Sequence, residues 1–281
     1  HIYKMDYKKV LDFHKENDAD CTITAKIVDL EEASRFGILN ADSNKKIIEF
    51  EEKPKKPKSN LASMGIYIFN TDVLLEYLET IVAEDLDFGK HIIPYCHEKA
   101  EPMYAYEYNG YWKDVGTLSS YWEANMELID IVPDFNLYEE YWKIYTKSYA
   151  LPPQYVSKSS EIQKCIIGEG SQIYGKVYNS VIGCNVHIGK DTVVRDSIIM
   201  NDTVIGDYCE INKGIIAENT VIGNGVKLGI GEVAPNETDP HIYGDGLVTV
   251  GEKTVIPDGV SVGKNSVVAG ITQIQDYPNG Y

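Results

Sequence analysis

Hydrophobic positions divide the chain into two parts that have different periods. Up to about residue 130, helical spacing alternates with β-branched and apolar runs, and this order predicts an α/β sheet. We predict strands at 21–28, 46–52, 61–69 and 102–111, and helices at 7–17, 71–83 and 120–130, the last opened by a Ser120–Glu123 capping box. The sheet opens abruptly, and we expect its first strands to be missing from this sequence.

Aliphatic residues recur about every six positions from residue 157 onward, and the pattern repeats every 17. The 17-residue spacing joins Ile188, Ile205 and Ile222, whereas the six-residue spacing joins Ile182, Ile188 and Val194. A hexad of this kind places one aliphatic side chain inward on each wall of a three-sided coil, and the coils must stack to bury it. The hexad pattern therefore predicts a parallel β-helix for the second part of the chain. The repeat resembles the left-handed β-helix of hexapeptide-repeat proteins.

Interruptions of the two hydrophobic patterns give the predicted loop, connector and domain boundaries. The hexad phase is lost at 231–246, which predicts an excursion loop, and it resumes at Ile256. Residues 131–156 form a predicted connector whose many aromatic side chains should pack onto other parts of the protein. The predicted domains are thus 1–130, a connector at 131–156 and a β-helix domain at 157–281.

Composition narrows the possible functions. The formal net charge of −17 argues against nucleic acid and against an anionic membrane surface as partners. No apolar run approaches the roughly 20 residues that a membrane-spanning helix needs. The five cysteines show no CxxC spacing, so neither a zinc site nor a disulfide framework is predicted. Free thiols in a reducing cytoplasm are the expected state.

Glu52 and Lys53 form the first candidate site. A lysine can meet a phosphate while the neighbouring carboxylate accepts hydrogen bonds from sugar hydroxyls, and the proline that follows restricts the backbone. The alternative is a solvated, proline-rich loop. For Lys55, Lys56 and Lys58 that simpler interpretation is favoured.

Asp114 forms the second candidate site. It follows a predicted strand and precedes Gly116 and a helix, so its carboxylate should project where α/β sheets bind ligands, and such oxygens suit Mg²⁺. The alternative is that Asp114 caps the following helix. Gly37 allows either close approach of a ligand or a helix C-cap, with the C-cap favoured by composition, and Asp87 is most simply an N-cap.

Several motifs together resemble bacterial glucose-1-phosphate adenylyltransferases, and the resemblance covers essentially the whole chain. The motifs are His1–Tyr7, Glu31–Gly37, Phe50–Pro54, Leu61–Tyr67, Asp87–Lys90 and Tyr111–Thr117, followed by the hexad repeats. The Glu-Lys-Pro and Trp-x-Asp-x-Gly-Thr segments are shared with other sugar-nucleotide transferases. The segments at 1–7 and 63–67 are more specific to this family.

The resemblance implies a truncated, Rossmann-like nucleotidyltransferase sheet that uses Mg²⁺ to transfer AMP from ATP to glucose 1-phosphate. It implies that Lys53 binds the sugar phosphate and Glu52 the sugar hydroxyls. Ser63, the Gly37 backbone and Trp112 would line the sugar pocket. Asp114 would be one of two metal-binding aspartates, and Lys53 and Asp114 would be the catalytic pair.

The resemblance also has departures. Nothing in the chain resembles the family's glycine-rich nucleotide loop, and the second metal aspartate would directly precede His1. We therefore expect these 281 residues by themselves to be inactive. His91 stands where the family usually has an acidic residue, and Lys113 stands where it usually has arginine. The family is usually tetrameric and allosteric, which implies a homo-oligomer in which the β-helix serves assembly and effector response.

Three alternatives stay open at this point. Another sugar-1-phosphate transferase, uridylyl or guanylyl, is the nearest, since base specificity belongs to the nucleotide loop. A hexapeptide-repeat acyltransferase would need a catalytic base in the β-helix, where His187 and His241 are the only histidines. A non-catalytic regulatory subunit is the third, although retention of both Lys53 and Asp114 argues against it.

Overall fold

The computed structural model describes residues 1–277, which divide into two compact units. One unit is Lys4–Gly110, and the other joins His1–Tyr3 to the chain from Tyr111 onward. No helix within residues 1–277 is both long enough and apolar enough to cross a membrane. The domain boundaries proposed from the sequence stay predictions.

The first half contains the predicted helices and strands in their predicted order, together with three strands that the sequence pattern does not predict. The helices are α1 (Tyr7–Glu16), α2 (Thr71–Thr80), α3 (Ile93–Glu98) and α4 (Leu118–Glu127), with a 3₁₀ turn at Ala33–Arg35 and a π-helical turn at Phe88–Ile92 that leads into α3. The strands are β1 (Ile2–Tyr3), β2 (Cys21–Ile27), β3 (Gly37–Ala41), β4 (Ile47–Glu52), β5 (Leu61–Phe69), β6 (Met103–Glu107) and β7 (Trp112–Lys113).

The unit Lys4–Gly110 is built on a mixed sheet in the order β4-β3-β5-β2-β6. Only the β2–β6 pair in this sheet is parallel. Its core joins buried Ile23 and Leu39 of the sheet to Tyr77 of α2 and Ile93 of α3. The α/β prediction for this region is therefore confirmed.

Two local predictions from the sequence are wrong. Gly37 does not cap a helix, because the 3₁₀ turn ends at Phe36 in extended conformation and Gly37 already pairs with Glu52 as the first residue of β3. The capping box of α4 is formed by Thr117 and Ser120, not by Ser120 and Glu123. Thr117 takes the cap because its own backbone is extended while Ser120 is already helical.

The remaining strands form the β-helix. They are β8 (Tyr155–Val156), β9 (Glu161–Ile167), β10 (Gln172–Ile173), β11 (Lys176–Ile182), β12 (His187–Ile188), β13 (Val193–Arg195), β14 (Ile198–Ile199), β15 (Val204–Ile205), β16 (Glu210–Asn212), β17 (Gly214–Ile216), β18 (Val221–Ile222), β19 (Lys227–Ile230), β20 (Val248–Val250), β21 (Val255–Ile256), β22 (Ser261–Gly263) and β23 (Val267–Val268).

These strands stack into three parallel walls, as the hexad pattern predicts. The first wall runs β21-β18-β15-β12-β10-β8. The second and third share β9 and β11, because β11 pairs with β13 at its start and with β14 at its end. Ile188, Ile205 and Ile222 pair in register on the first wall and are buried in the common core. The excursion loop lies between β19 and β20, where the sequence loses its phase.

Adjacent residues of β15 offer a test of this inward and outward alternation. Ile205 is fully buried, whereas Val204 is 43% exposed. We expect Ile205→Val, which removes one methylene, to lower the free energy of unfolding by ~1 kcal/mol. Val204→Ala removes more atoms but should cost less than ~0.5 kcal/mol.

Chemical denaturation followed by tryptophan fluorescence measures both variants. Trp112, Trp122 and Trp142 all belong to the unit that contains the β-helix, so the signal reports on that unit. A larger cost for Val204→Ala than for Ile205→Val would contradict the assigned faces.

Helix α4 covers the outer face of the third wall. Leu118, Tyr121 and Trp122 pack against Ile198 and Ile215, whose side chains point away from the β-helix core. The Trp122 indole also donates a hydrogen bond of 2.7 Å to the Asp196 carbonyl. These contacts place α4 in the same compact unit as the β-helix.

The connector only partly follows its prediction. Phe135 is buried and its ring lies 5.0 Å from that of Tyr111. By contrast, Tyr138, Tyr141 and Tyr145 are exposed, Tyr141 by 94%. The expectation that the connector's aromatics pack onto other parts of the protein is therefore wrong for these three tyrosines.

Candidate active site

Three neighbouring strands bring Gly37, Glu52 and Ser63 together at one end of the sheet. Glu52 is the last residue of β4 and pairs with Gly37, the first residue of β3. Ile38 pairs with Ala62, so Ser63 lies beside Gly37 on β5. Three residues that are far apart in the sequence therefore lie together at the same end of neighbouring strands, as a ligand site requires.

The Glu52 carboxylate is largely withdrawn from solvent, with 26% of the side chain exposed. Burial raises the pKa of Glu52 above its ordinary value, and nearby Asp87 adds to that shift, while Lys53 and Lys90 oppose it. A partly buried carboxylate next to cations is suited to accepting hydrogen bonds from a polar ligand.

Lys53 has an unusual backbone. Its φ of 47° lies in the left-handed region, which a residue with a side chain adopts at some cost. The strand pairing continues into it, because the Lys53 amide donates to the Phe36 carbonyl at 3.1 Å. Its ammonium lies 4.0 Å from Glu52 Oε1 and the side chain is 64% exposed. The lysine head is therefore held near the carboxylate but remains accessible to a ligand.

Ser63 is held by a bulge in β5. Ile23 pairs with Tyr67 and Ala25 pairs with Ser63, so four steps along β5 match two along β2. Gly65 supplies the left-handed residue, with φ of 71°, and donates to Ser63 Oγ at 3.3 Å. Bulges next to functional sites commonly re-aim side chains in this way.

Sequence reasoning missed two aromatic neighbours, Tyr67 and Phe88. Tyr67 lies near Ser63, and its ring stacks on Phe88 with centroids 5.3 Å apart. Burial raises the pKa of Tyr67, and the charges of Glu52 and Asp87 add to that shift. Both aromatics occur in the motifs of the resemblance, but only the bulge and the π-helical turn direct them here.

Asp87 caps the π-helical turn, as predicted. Its carboxylate accepts a hydrogen bond of 2.8 Å from the Lys90 amide. His91 completes the turn, since its Nδ1 accepts the Asp87 amide at 3.1 Å. An imidazole nitrogen can accept this bond as the usual acidic residue would, so the departure at His91 leaves the turn intact.

Trp112 and Asp114 lie together in the other unit. β7 pairs with β1, which brings His1 over Trp112 with ring centroids 5.3 Å apart. His1 Nδ1 also lies 3.3 Å from Asp114 Oδ1. The same carboxylate oxygen accepts the Gly116 amide at 3.1 Å, so Asp114 forms a turn and the helix cap belongs to Thr117. The alternative in which Asp114 caps α4 is therefore wrong.

Lys113 points to the helix that follows. Its ammonium forms ion pairs with Glu123 and Glu127 of α4. Lys58, in the basic run, likewise pairs with Glu49 and Glu51 of β4. Both lysines thus have protein partners.

Asp114 offers the oxygen chemistry that Mg²⁺ prefers. Across residues 1–277, no group of three or more Asp, Glu, His or Cys side chains converges to form a complete metal cage. Proteins commonly hold Mg²⁺ with one or two carboxylates and with substrate phosphates, and a single carboxylate such as Asp114 fits that role.

The cysteines and His187 have structural surroundings. All five cysteines are free thiols, and Cys21, Cys96 and Cys209 are buried. His187 lies on the outer face of the first wall, where its ring packs 5.4 Å from that of Tyr174.

Comparison with known protein families agrees with both parts of the fold. Residues 1–131 match the nucleotidyl transferase family, and residues 145–238 match the left-handed β-helix domain of the eIF2B epsilon subunit. The chain therefore contains a nucleotidyltransferase domain followed by a left-handed β-helix of hexapeptide repeats.

Relatives that match nearly the whole length of this chain identify the family more closely. The chain is 62% identical over its whole length to a glucose-1-phosphate adenylyltransferase of Lachnospira eligens and spans 66% of that protein. It is 50% identical over 99% of its length to the enzyme of the same name from Acetivibrio thermocellus, again spanning 66%. For Thermotoga maritima the identity is 46%, over 95% of the chain and 64% of the relative. The chain belongs to the glucose-1-phosphate adenylyltransferase family.

Proposed function

We propose that the protein containing this chain transfers AMP from ATP to glucose 1-phosphate, giving ADP-glucose and pyrophosphate. The observation that carries the proposal is the convergence of Gly37, Glu52 and Ser63 at one sheet edge, directly beside Lys53. The 62% identity to a relative named for this reaction supports it.

The reaction is an in-line displacement. A phosphate oxygen of glucose 1-phosphate attacks the α-phosphorus of ATP, and the bond to pyrophosphate breaks. The protein contributes mainly positioning and neutralisation of charge. Mg²⁺, when bound, supplies positive charge at the phosphates, and Asp114 is the carboxylate that would hold it.

Each residue that we propose to bind glucose 1-phosphate has a role that its chemistry supports. Lys53, with its accessible ammonium, binds the phosphate of the sugar. Glu52 accepts hydrogen bonds from sugar hydroxyls, and these bonds are strongest when its carboxylate is ionised. Ser63 and the Gly37 backbone line the sugar pocket.

The same proposal includes a homotetramer in the cytoplasm that responds to effectors through the β-helix. Val204, Val221 and Val255 stand in register on the outer face of the first wall, and Val204 and Val221 are each 43% exposed. Such a flat, uncharged stripe is suited to contact between subunits. The free cysteines suit a reducing compartment.

A pyrophosphate-release assay on the protein that contains this chain tests the function. We expect turnover that requires both ATP and glucose 1-phosphate, and little turnover when UTP or GTP replaces ATP. Light scattering on the same sample should give the mass of four subunits. We also propose that the 281 residues by themselves give no turnover, since they contain no segment resembling the glycine-rich loop to which the resemblance assigns nucleotide binding.

Other outcomes point to the alternatives. Preference for UTP or GTP would indicate a different sugar-nucleotide transferase. No release with any nucleotide, together with tight acetyl-CoA binding in titration calorimetry, would favour an acyltransferase. A monomeric mass would contradict the tetramer alone.

A further inference from the structure

The Glu52 carboxylate lies in a notch between two glycines that belong to different elements. Gly37 begins β3, and Gly89 lies in the π-helical turn before α3. A Cβ atom built on Gly89 would lie 2.5 Å from Glu52 Oε2, and one built on Gly37 would lie 3.0 Å from the same oxygen. One carboxylate oxygen therefore occupies the space that both missing side chains leave.

Gly89 is the more informative of the two. A Cβ on Gly37 would also lie 2.8 Å from the Phe50 ring, which packs on the core of the sheet unit. A Cβ on Gly89 would meet the Glu52 carboxylate first, and its next neighbour, Asp87 Oδ1, is 3.4 Å away. Gly89 also has no left-handed φ that would by itself require glycine. An added methyl at 89 would therefore displace the Glu52 carboxylate and leave the backbone in place.

The notch also orients the carboxylate. With Oε2 between the glycines, the other oxygen, Oε1, is the one that lies 4.0 Å from the Lys53 ammonium. The two acceptor oxygens thus have fixed and different surroundings. A site that must read the direction of sugar hydroxyls needs this kind of fixed acceptor, because a small misplacement of a binding group is costly.

We propose that Gly89 is a positioning residue for sugar recognition: its missing side chain seats the Glu52 carboxylate, which in turn sets which hexose 1-phosphate fits. This inference rests on the proposed function, in which Glu52 binds the sugar hydroxyls. Gly89 itself needs no contact with the substrate.

Gly89→Ala, made in the protein that contains this chain, is the first test. We expect the KM for glucose 1-phosphate to rise about tenfold or more, with kcat and the KM for ATP changed less than about twofold. Gly244→Ala is the matched control, because its Cβ would meet only the Pro240 carbonyl oxygen, at 3.7 Å. That control should leave all three constants unchanged.

A double-mutant cycle identifies the cause. In a Glu52→Ala background the clashing carboxylate is gone, so Gly89→Ala should have no further effect on the KM for glucose 1-phosphate. If Gly89→Ala alone fails to fold, the double variant should still fold and behave like Glu52→Ala.

The outcomes separate the two proposals. A normal KM in Gly89→Ala, or a further loss when it is added to Glu52→Ala, would overturn the positioning role while leaving the proposed function standing. An unchanged KM in Glu52→Ala would refute the hydroxyl-binding role of Glu52 and, with it, the inference about Gly89.

Discussion

Replacing Lys53 with alanine should raise the KM for glucose 1-phosphate by roughly 10- to 100-fold, while kcat and the KM for ATP change little. A hydrogen bond to a charged group contributes about 1.5–3 kcal/mol, which corresponds to that range. The effect should fall on the sugar substrate because the Lys53 ammonium lies beside Glu52, the proposed hydroxyl acceptor. Steady-state kinetics with each substrate varied in turn measure it.

The neighbouring lysines supply the control. Lys55 lies in the same loop, which the sequence predicts to be solvated at that position, so Lys55→Ala removes an equal charge without removing the proposed ligand. It should change the KM for glucose 1-phosphate by less than about twofold, apart from a weak dependence on salt. If both variants weakened ATP binding alone, the assignment of Lys53 to the sugar phosphate would be refuted.

The backbone of Lys53 adds a second step to this prediction. Its left-handed φ of 47° turns the chain between the end of β4 and Pro54. A left-handed backbone conformation is energetically unfavourable for lysine, so the surrounding pairing of β3 with β4 must impose it. Lys53→Gly should therefore fold at least as well as Lys53→Ala while losing the same affinity for glucose 1-phosphate. Different stability with equal affinity would separate the strained backbone from phosphate binding.

The β-helix is predictable from the sequence because its repeating coils appear there as a regular spacing of aliphatic residues. Each coil of the β-helix contacts mainly its neighbours, so the 17-residue spacing of Ile188, Ile205 and Ile222 is also their pairing register. The five-stranded sheet was predicted only as alternating elements. The order of its strands depends on which strands pair with each other, and the hydrophobic periodicity within one strand does not predict its partners.

The candidate site shows the same limit. Glu52, Lys53 and Asp114 were identified by motifs, whereas the contribution of Gly89 depends on a contact with Glu52 across 37 positions of the chain. The direction of Tyr67 likewise depends on the bulge opposite β2. Local spacing also misassigned the cap of α4, since Ser120 matched the pattern equally well but lies one turn inside the helix. Residues whose role arises from tertiary contacts were thus the ones missed.

Asp114→Asn should lower kcat by roughly 10²- to 10⁴-fold with smaller changes in both KM values. A metal ion at a reacting phosphate supplies several kcal/mol of charge stabilisation, and the amide is a far weaker magnesium ligand than the carboxylate. Asparagine keeps an oxygen that can accept the Gly116 amide, so the turn before α4 should survive. Rates measured under saturating substrates, together with a thermal unfolding curve, establish whether catalysis falls without loss of the fold.

Two further measurements decide whether the loss comes from the metal or from the turn. Asp42 makes the same kind of turn, accepting the Asn44 amide at 2.8 Å, so Asp42→Asn is a matched control that should keep full activity. A metal-binding role also predicts that Asp114→Asn needs more Mg²⁺ for half-maximal rate, because the remaining ligands hold the ion less tightly. A purely structural role would lower the rate equally at every magnesium concentration. Equal loss in both aspartate variants, with unchanged magnesium dependence, would therefore remove Asp114 from the proposed metal site.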